Sequence, residues 1–177
     1  MPDIASDAMP SINFLPSADA SVVSEHSRQV LRDVLADAGL NSCIITGTVR
    51  SPARQASAMY ANIESTSVAR QLALYGSAGD EVIGEYQRLK PNGHGRQVIV
   101  MAMTDMINLL GPENVSRHCG DPSKLNVIDI APSSIANAQN FLGALQRAKA
   151  ASLVSKFISP ANGDPAFHIE IPQPAAQ

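Results

Sequence analysis

Ser116-Arg117-His118 lies near the middle of the chain, and eleven residues past that histidine comes Asp129, inside Asn126-Val127-Ile128-Asp129-Ile130. Close to the C-terminus, Phe167-His168-Ile169-Glu170-Ile171 supplies a second histidine in a short alternating run. Two imidazoles and a carboxylate, each at or beside an expected strand, match the donor set of a catalytic zinc ion, which takes three protein ligands and keeps a fourth position for water. On a strand, His168 and Glu170 are two residues apart and share a face, while Phe167, Ile169 and Ile171 point the other way, into a core. Asp129, flanked by Ile128 and Ile130, also projects opposite its apolar neighbours. From these residues alone two readings stand. One is a zinc-dependent hydrolase; the other is a set of solvent-facing polar groups, with His168 a satisfied, partly buried imidazole.

The elements that must carry these side chains are readable from local signals. The first 21 residues are rich in Pro, Ser, Ala and Asp, and Pro2, Pro10 and Pro16 break any helix, so they read as an extended or flexible arm. Residues 22–177 then form a single domain, a length that can bury a core. A helix is expected from Ser24, with Val30, Leu31, Val34, Leu35 and Ala38 on one face and Gly39 ending it. Ser42 to Val49 reads as a buried strand. After Arg50, Ser51 suits an N-cap and Pro52 the first turn of a helix running through Gln55, Met59 and Tyr60. Two more helical pieces, parted near Gly76-Ser77-Ala78-Gly79, precede a loop at Pro91 to Gly95 and an apolar helix from Arg96 to Leu110. The histidine loop, a strand at Val127 to Ile130, a helix from Ser134 to Ala150 and strands at Leu153 to Ile158 and Ala166 to Ile171 complete the order. That order predicts an α+β fold: a small, mostly antiparallel sheet with helices packed around it.

Composition narrows the function classes. With 45% hydrophobic and 16% charged residues the chain is globular. A net charge of −3, with 13 Lys and Arg scattered and no basic run, argues against nucleic acid as a partner. The longest apolar stretch, Val98 to Met103, is far too short for membrane insertion. Asp3 and Asp7 stand where a secretory signal would carry positive charge, so the expectation is synthesis in the cytoplasm without a signal peptide. Cys43, in a strand interior, and Cys119 are expected to be free thiols.

Three blocks, in order, resemble the zinc D-alanyl-D-alanine carboxypeptidase and L-alanyl-D-glutamate endopeptidase family, which hydrolyses peptide bonds in bacterial peptidoglycan. Thr46-Gly47-Thr48-Val49-Arg50-Ser51-Pro52-Ala53-Arg54-Gln55 is similar to the family's Ser-Gly-Tyr-Arg-Ser stretch with its following glutamine. Ser116-Arg117-His118 and Asn126 to Ile130 resemble its Ser-x-His and Gly-x-Ala-x-Asp-Ile segments, and Phe167-His168-Ile169-Glu170 its closing strand. The resemblance implies a zinc peptidase-like fold, Zn2+ held by His118, Asp129 and His168, and a peptidoglycan peptide as substrate. It implies that Arg50 holds a substrate carboxylate or carbonyl, a task suited to a planar guanidinium. The plainer reading of Arg50 is a surface ion pair at a helix start. Gln55 is either a site-orienting side chain or an ordinary helix-surface glutamine, and Ser116 a hydrogen-bonding group of the histidine loop.

Two positions depart from the family. The interval between His118 and Asp129 is longer than usual, with Gly120-Asp121-Pro122-Ser123 in the added length. Three residues before His168, where many members carry an acidic general base, stands Pro165. The candidates for the base are then Asp164, in a turn, and Glu170, preferred because two residues along a strand it lies beside His168. Cys119 next to His118 suggests a thiol hydrolase only weakly, since catalytic pairs meet through the fold. His94, between two glycines, reads as a surface imidazole. A wall peptidase without a signal peptide suits a phage lytic protein released at lysis, or an effector delivered into rival bacteria with a delivery or immunity partner. The rival class is a wall-binding or virion module that keeps the fold without catalysis.

Overall fold

Two N-caps set the helices that flank the first long strand. Ser24 accepts from the Ser27 amide to open α1 (Glu25–Asp37), and Ser51 accepts from the Arg54 amide to open α2 (Pro52–Ser65), with Pro52 in its first turn. Gly39, at φ +67°, turns the chain out of α1 into β2 (Ser42–Gly47). The computed structural model describes residues 9–175. Within that range the chain forms two compact units. One comprises the chain through Thr48, Pro122–Pro160 and the chain from Ala166; the other comprises Val49–Asp121 and Ala161–Pro165.

The first unit is built on a five-stranded sheet, β1 (Ser11–Phe14), β2, β3 (Leu125–Ile130), β4 (Lys156–Ile158) and β5 (Phe167–Pro172), in the order β1-β2-β3-β5-β4. Only β1–β2 is parallel, so the fold is α+β with a mostly antiparallel sheet. Cys43 and Ile45 of β2, Ile128 and Ile130 of β3 and Phe167, Ile169 and Ile171 of β5 share one apolar cluster. That cluster also takes Leu31 and Leu35 of α1 and Phe141 and Leu145 of α7 (Ala138–Ala150), so two helices cover this sheet face. The ring of Phe141 stands edge-on to that of Phe167, centroids 5.1 Å apart. Buried Asn126 ties strand to loop: its amide donates to the carbonyls of Val22 and Pro122, and its side-chain oxygen accepts from the Ser24 amide.

The second unit is helical: α2, α3 (Val68–Leu72), α4 (Ser77–Leu89), α5 (Arg96–Leu110) and the one-turn α6 (Pro112–Val115). Its core joins Ala56, Met59 and Ile63 of α2 to Val82 and Ile83 of α4 and Ile99, Met103 and Ile107 of α5. These α5 residues recur every four positions, the stripe of a helix packed on one side. Met101 and Leu109 are exposed, so α5 buries less of its apolar length than its composition suggests.

The arm expected over the first 21 residues contains a strand, because Ser11–Phe14 pairs with Ser42–Ile45; residues 1–8 of it lie outside the described range. The last helix begins at Ala138 rather than Ser134, since Pro132–Ser134 forms a 3-10 turn and Asn137 provides the cap. No helix among the described residues is long and apolar enough to cross a membrane.

Candidate metal centre

The antiparallel pairing of β3 with β5 sets Asp129 directly opposite His168. Residues opposite one another project from the same sheet face, and here it is the face away from the apolar cluster of Ile128, Ile130, Phe167 and Ile169. Between Ile45 and Gly47 the β2–β3 register slips, so that Gly47 stands opposite Asp129, and the Thr46 hydroxyl donates to the Asp129 carbonyl. A bulge of this kind re-aims side chains locally.

His118 comes from a 3-10 turn, Arg117–Cys119, that follows α6. Its conformation is held by backbone bonds: the Cys119 amide donates to Ser116 O, the Gly120 amide to Arg117 O, and the Arg50 amide to His118 O at 2.7 Å. The imidazole is buried.

His118, Asp129 and His168 each offer one ligand atom, and these atoms all lie within 4.8 Å of one another. Atoms so spaced fit within about 2.8 Å of a common point, about 0.6–0.8 Å beyond the about 2.0–2.2 Å of Zn–N and Zn–O bonds. The donor chemistry also suits zinc, with two imidazoles and one carboxylate and no thiolate. The three residues can therefore hold a metal ion.

His168 is flanked on both ring nitrogens. Its Nδ1 is 3.2 Å from Asp129 Oδ1, near the about 3.4 Å that separates two ligands on one tetrahedral ion. Its Nε2 is 3.4 Å from Glu170 Oε1. A carboxylate on the ring nitrogen remote from the metal is the usual partner of a ligating histidine, because it fixes the tautomer and the ring plane. Glu170 is buried and shares the face of His168, as the two-residue spacing requires.

Arg50 follows β2 and precedes α2, and its Nη1 donates to Gln55 Oε1 at 3.2 Å. Gln55 is fully buried, so it is no helix-surface glutamine. Its Nε2 donates to the hydroxyl of Tyr75 at 3.0 Å. Ser116 contributes its carbonyl to the turn that carries His118. Asp164 is half-buried in the turn before β5, and Gly163 beside it adopts φ +93°. His94 is exposed in its loop.

Both cysteines are free. Burial pushes the Cys119 thiol above its ordinary pKa, with the Arg50 charge opposing, and an activated nucleophile needs the reverse. Tyr75 and Gly79 escaped sequence reading as partners of this region. The one local signal was Gly79 itself, which reads as part of a break between helices and which the structure places inside α4. No family model, curated protein or solved structure matches the chain, so its functional reading rests on these residues.

Proposed function

We propose that the chain is a zinc-dependent hydrolase of peptide bonds in peptidoglycan stem peptides. The observation that carries this reading is the convergence of His118, Asp129 and His168 to within 4.8 Å from three separate places in the sequence. Bound zinc would supply Lewis acidity, bringing the pKa of a coordinated water toward about 7 and polarising the scissile carbonyl. Glu170 holds the His168 ring through Oε1, and of the two candidate bases, Glu170 and Asp164, the carboxylate that reaches the attacking water would take its proton and pass it to the leaving amine. Asp164 is the alternative acid. Arg50, oriented by Gln55, receives the substrate carboxylate or carbonyl. The protein acts in the periplasm or on the wall, reached by lysis or by delivery with a partner.

One feature favours a second reading, a wall-binding module that keeps the metal without catalysis. Pro165 occupies the position where many members of the resembled family carry an acid, and Glu170 is already engaged with His168. Metal content decides first, measured on wild type and His168→Ala, followed by digestion of purified peptidoglycan with and without chelator. About one zinc per chain, lost in the variant, together with chelator-sensitive peptide release, is expected. Zinc without release supports the binding module. No zinc and no chelator effect overturns the hydrolase and leaves a wall-binding module that keeps the fold alone.

A further inference from the structure

We propose that Tyr75 and Gly79 are positioning residues for Arg50, acting through Gln55. The inference rests on the reading of Arg50 as the side chain that receives a substrate carboxylate. Arg50 Nη1 donates to Gln55 Oε1, and Gln55 Nε2 donates to the Tyr75 hydroxyl. A primary amide has a donor end and an acceptor end that differ little in shape, so its orientation is chosen by its partners. The Tyr75 hydroxyl, accepting from Nε2, turns the amide so that its carbonyl faces the guanidinium. The flipped amide would aim N–H groups at a cation that itself carries only donors. Because Gln55 is fully buried, water is a poor substitute for the tyrosine.

Tyr75 in turn depends on Gly79. It lies between α3 and α4, and its amide donates to Gln71 O. Gly79 sits in the first turn of α4, where alanine is the better helix former. A Cβ built there would stand 2.5 Å from Tyr75 Cβ, 2.6 Å from Cδ1 and 2.7 Å from Cγ. These atoms are the root of the side chain, so the whole ring would have to leave its place. Gly84, further along the same helix, has nothing within 4 Å of an added Cβ. The glycine at 79 is thus a seat for the tyrosine, and the one at 84 supplies a control.

The test compares full-length wild type with Tyr75→Phe, Gly79→Ala and Gly84→Ala. The first readout is the side-chain Nε–Hε resonance of Arg50 by NMR, assigned by its disappearance in Arg50→Lys. The second is KM and kcat on a synthetic stem pentapeptide with a free C-terminal carboxylate and on its C-terminal amide. Tyr75→Phe and Gly79→Ala are expected to shift the Arg50 resonance toward that of exposed arginines. They should raise KM for the carboxylate peptide about tenfold, with kcat and the amide peptide nearly unchanged. Gly84→Ala should match wild type in both readouts. Should Gly79→Ala fail to fold, Tyr75→Phe, which removes one oxygen and keeps the ring, decides alone. An Arg50 resonance unmoved by Tyr75→Phe overturns the relay. If wild type cleaves neither peptide, the hydrolase reading falls, and the resonance still decides whether the relay exists.

Discussion

Asp129 and His168 face each other across the β3–β5 pair, with Nδ1 of the imidazole 3.2 Å from Oδ1 of the carboxylate. The pairing register of two strands, rather than a loop, sets this separation. Shifting β5 by one residue would send His168 into the apolar cluster and bring Phe167 or Ile169 to the opposite face. The buried series Phe167, Ile169 and Ile171 opposes that slip, so the core specifies where the histidine points.

Zinc should therefore stabilise the native state by binding a site that the unfolded chain lacks. At a free zinc concentration a thousandfold above Kd the gain is about 4 kcal/mol. For a chain of this size that raises Tm by about 8–16 °C. Thermal scans with added zinc and with chelator read the shift directly. His118→Ala should abolish it, and a shift that persists in this variant would place the binding elsewhere.

Glu170→Gln separates the two tasks assigned to that carboxylate. Losing the charge beside His168 Nε2 should weaken zinc about 10–100-fold. At saturating zinc, kcat should still fall by about 10²–10⁴ if Glu170 also moves the proton. Asp164→Asn should leave both quantities near wild type. The opposite pattern, with activity lost only in Asp164→Asn, would transfer the base to the turn.

Much of this site was legible because its signals are local. Ser24, Ser51 and Pro52 announce helix starts, Gly39 announces an end, and alternation in Phe167 to Ile171 assigns each side chain a face. What was not legible depends on distant pairing. Ser11–Phe14 lies between Pro10 and Pro16 and reads as an arm; hydrogen bonding to β2 makes it a strand. The seating of Tyr75 against Gly79, and its acceptance from Gln55 twenty residues away, follow from helix packing that no periodicity encodes. The β2 bulge opposite Asp129 is of the same kind.

Alkaline pH should destabilise the protein through Cys43. Burial pushes its thiol up to about 12, well above its value in the unfolded chain. The folded state then keeps a proton that the unfolded state releases, so this contribution is fully present below about pH 8.5 and declines as pH rises toward 12. By pH 10 the loss is about 2 kcal/mol. Urea midpoints of wild type and Cys43→Ala, compared from pH 7 to 10, isolate the effect, because the other alkaline titrations are common to both proteins. Parallel pH dependences would remove Cys43 as the cause.

The apolar side of β5 should be separable from the metal side. Phe167 is buried, with its ring edge-on to Phe141 at 5.1 Å and 83°. Phe167→Ala should cost about 3–5 kcal/mol in denaturant unfolding, through lost burial and the cavity it leaves. A double-mutant cycle with Phe141→Ala should show a coupling of about 0.5–1.5 kcal/mol from the ring pair. Phe167→Leu keeps an apolar side chain there and hence the incentive for register. It should lower the unfolding free energy while the zinc-induced rise in Tm survives. If Phe167→Leu loses that rise although the protein remains folded, ring packing itself, and not register alone, holds His168 in place.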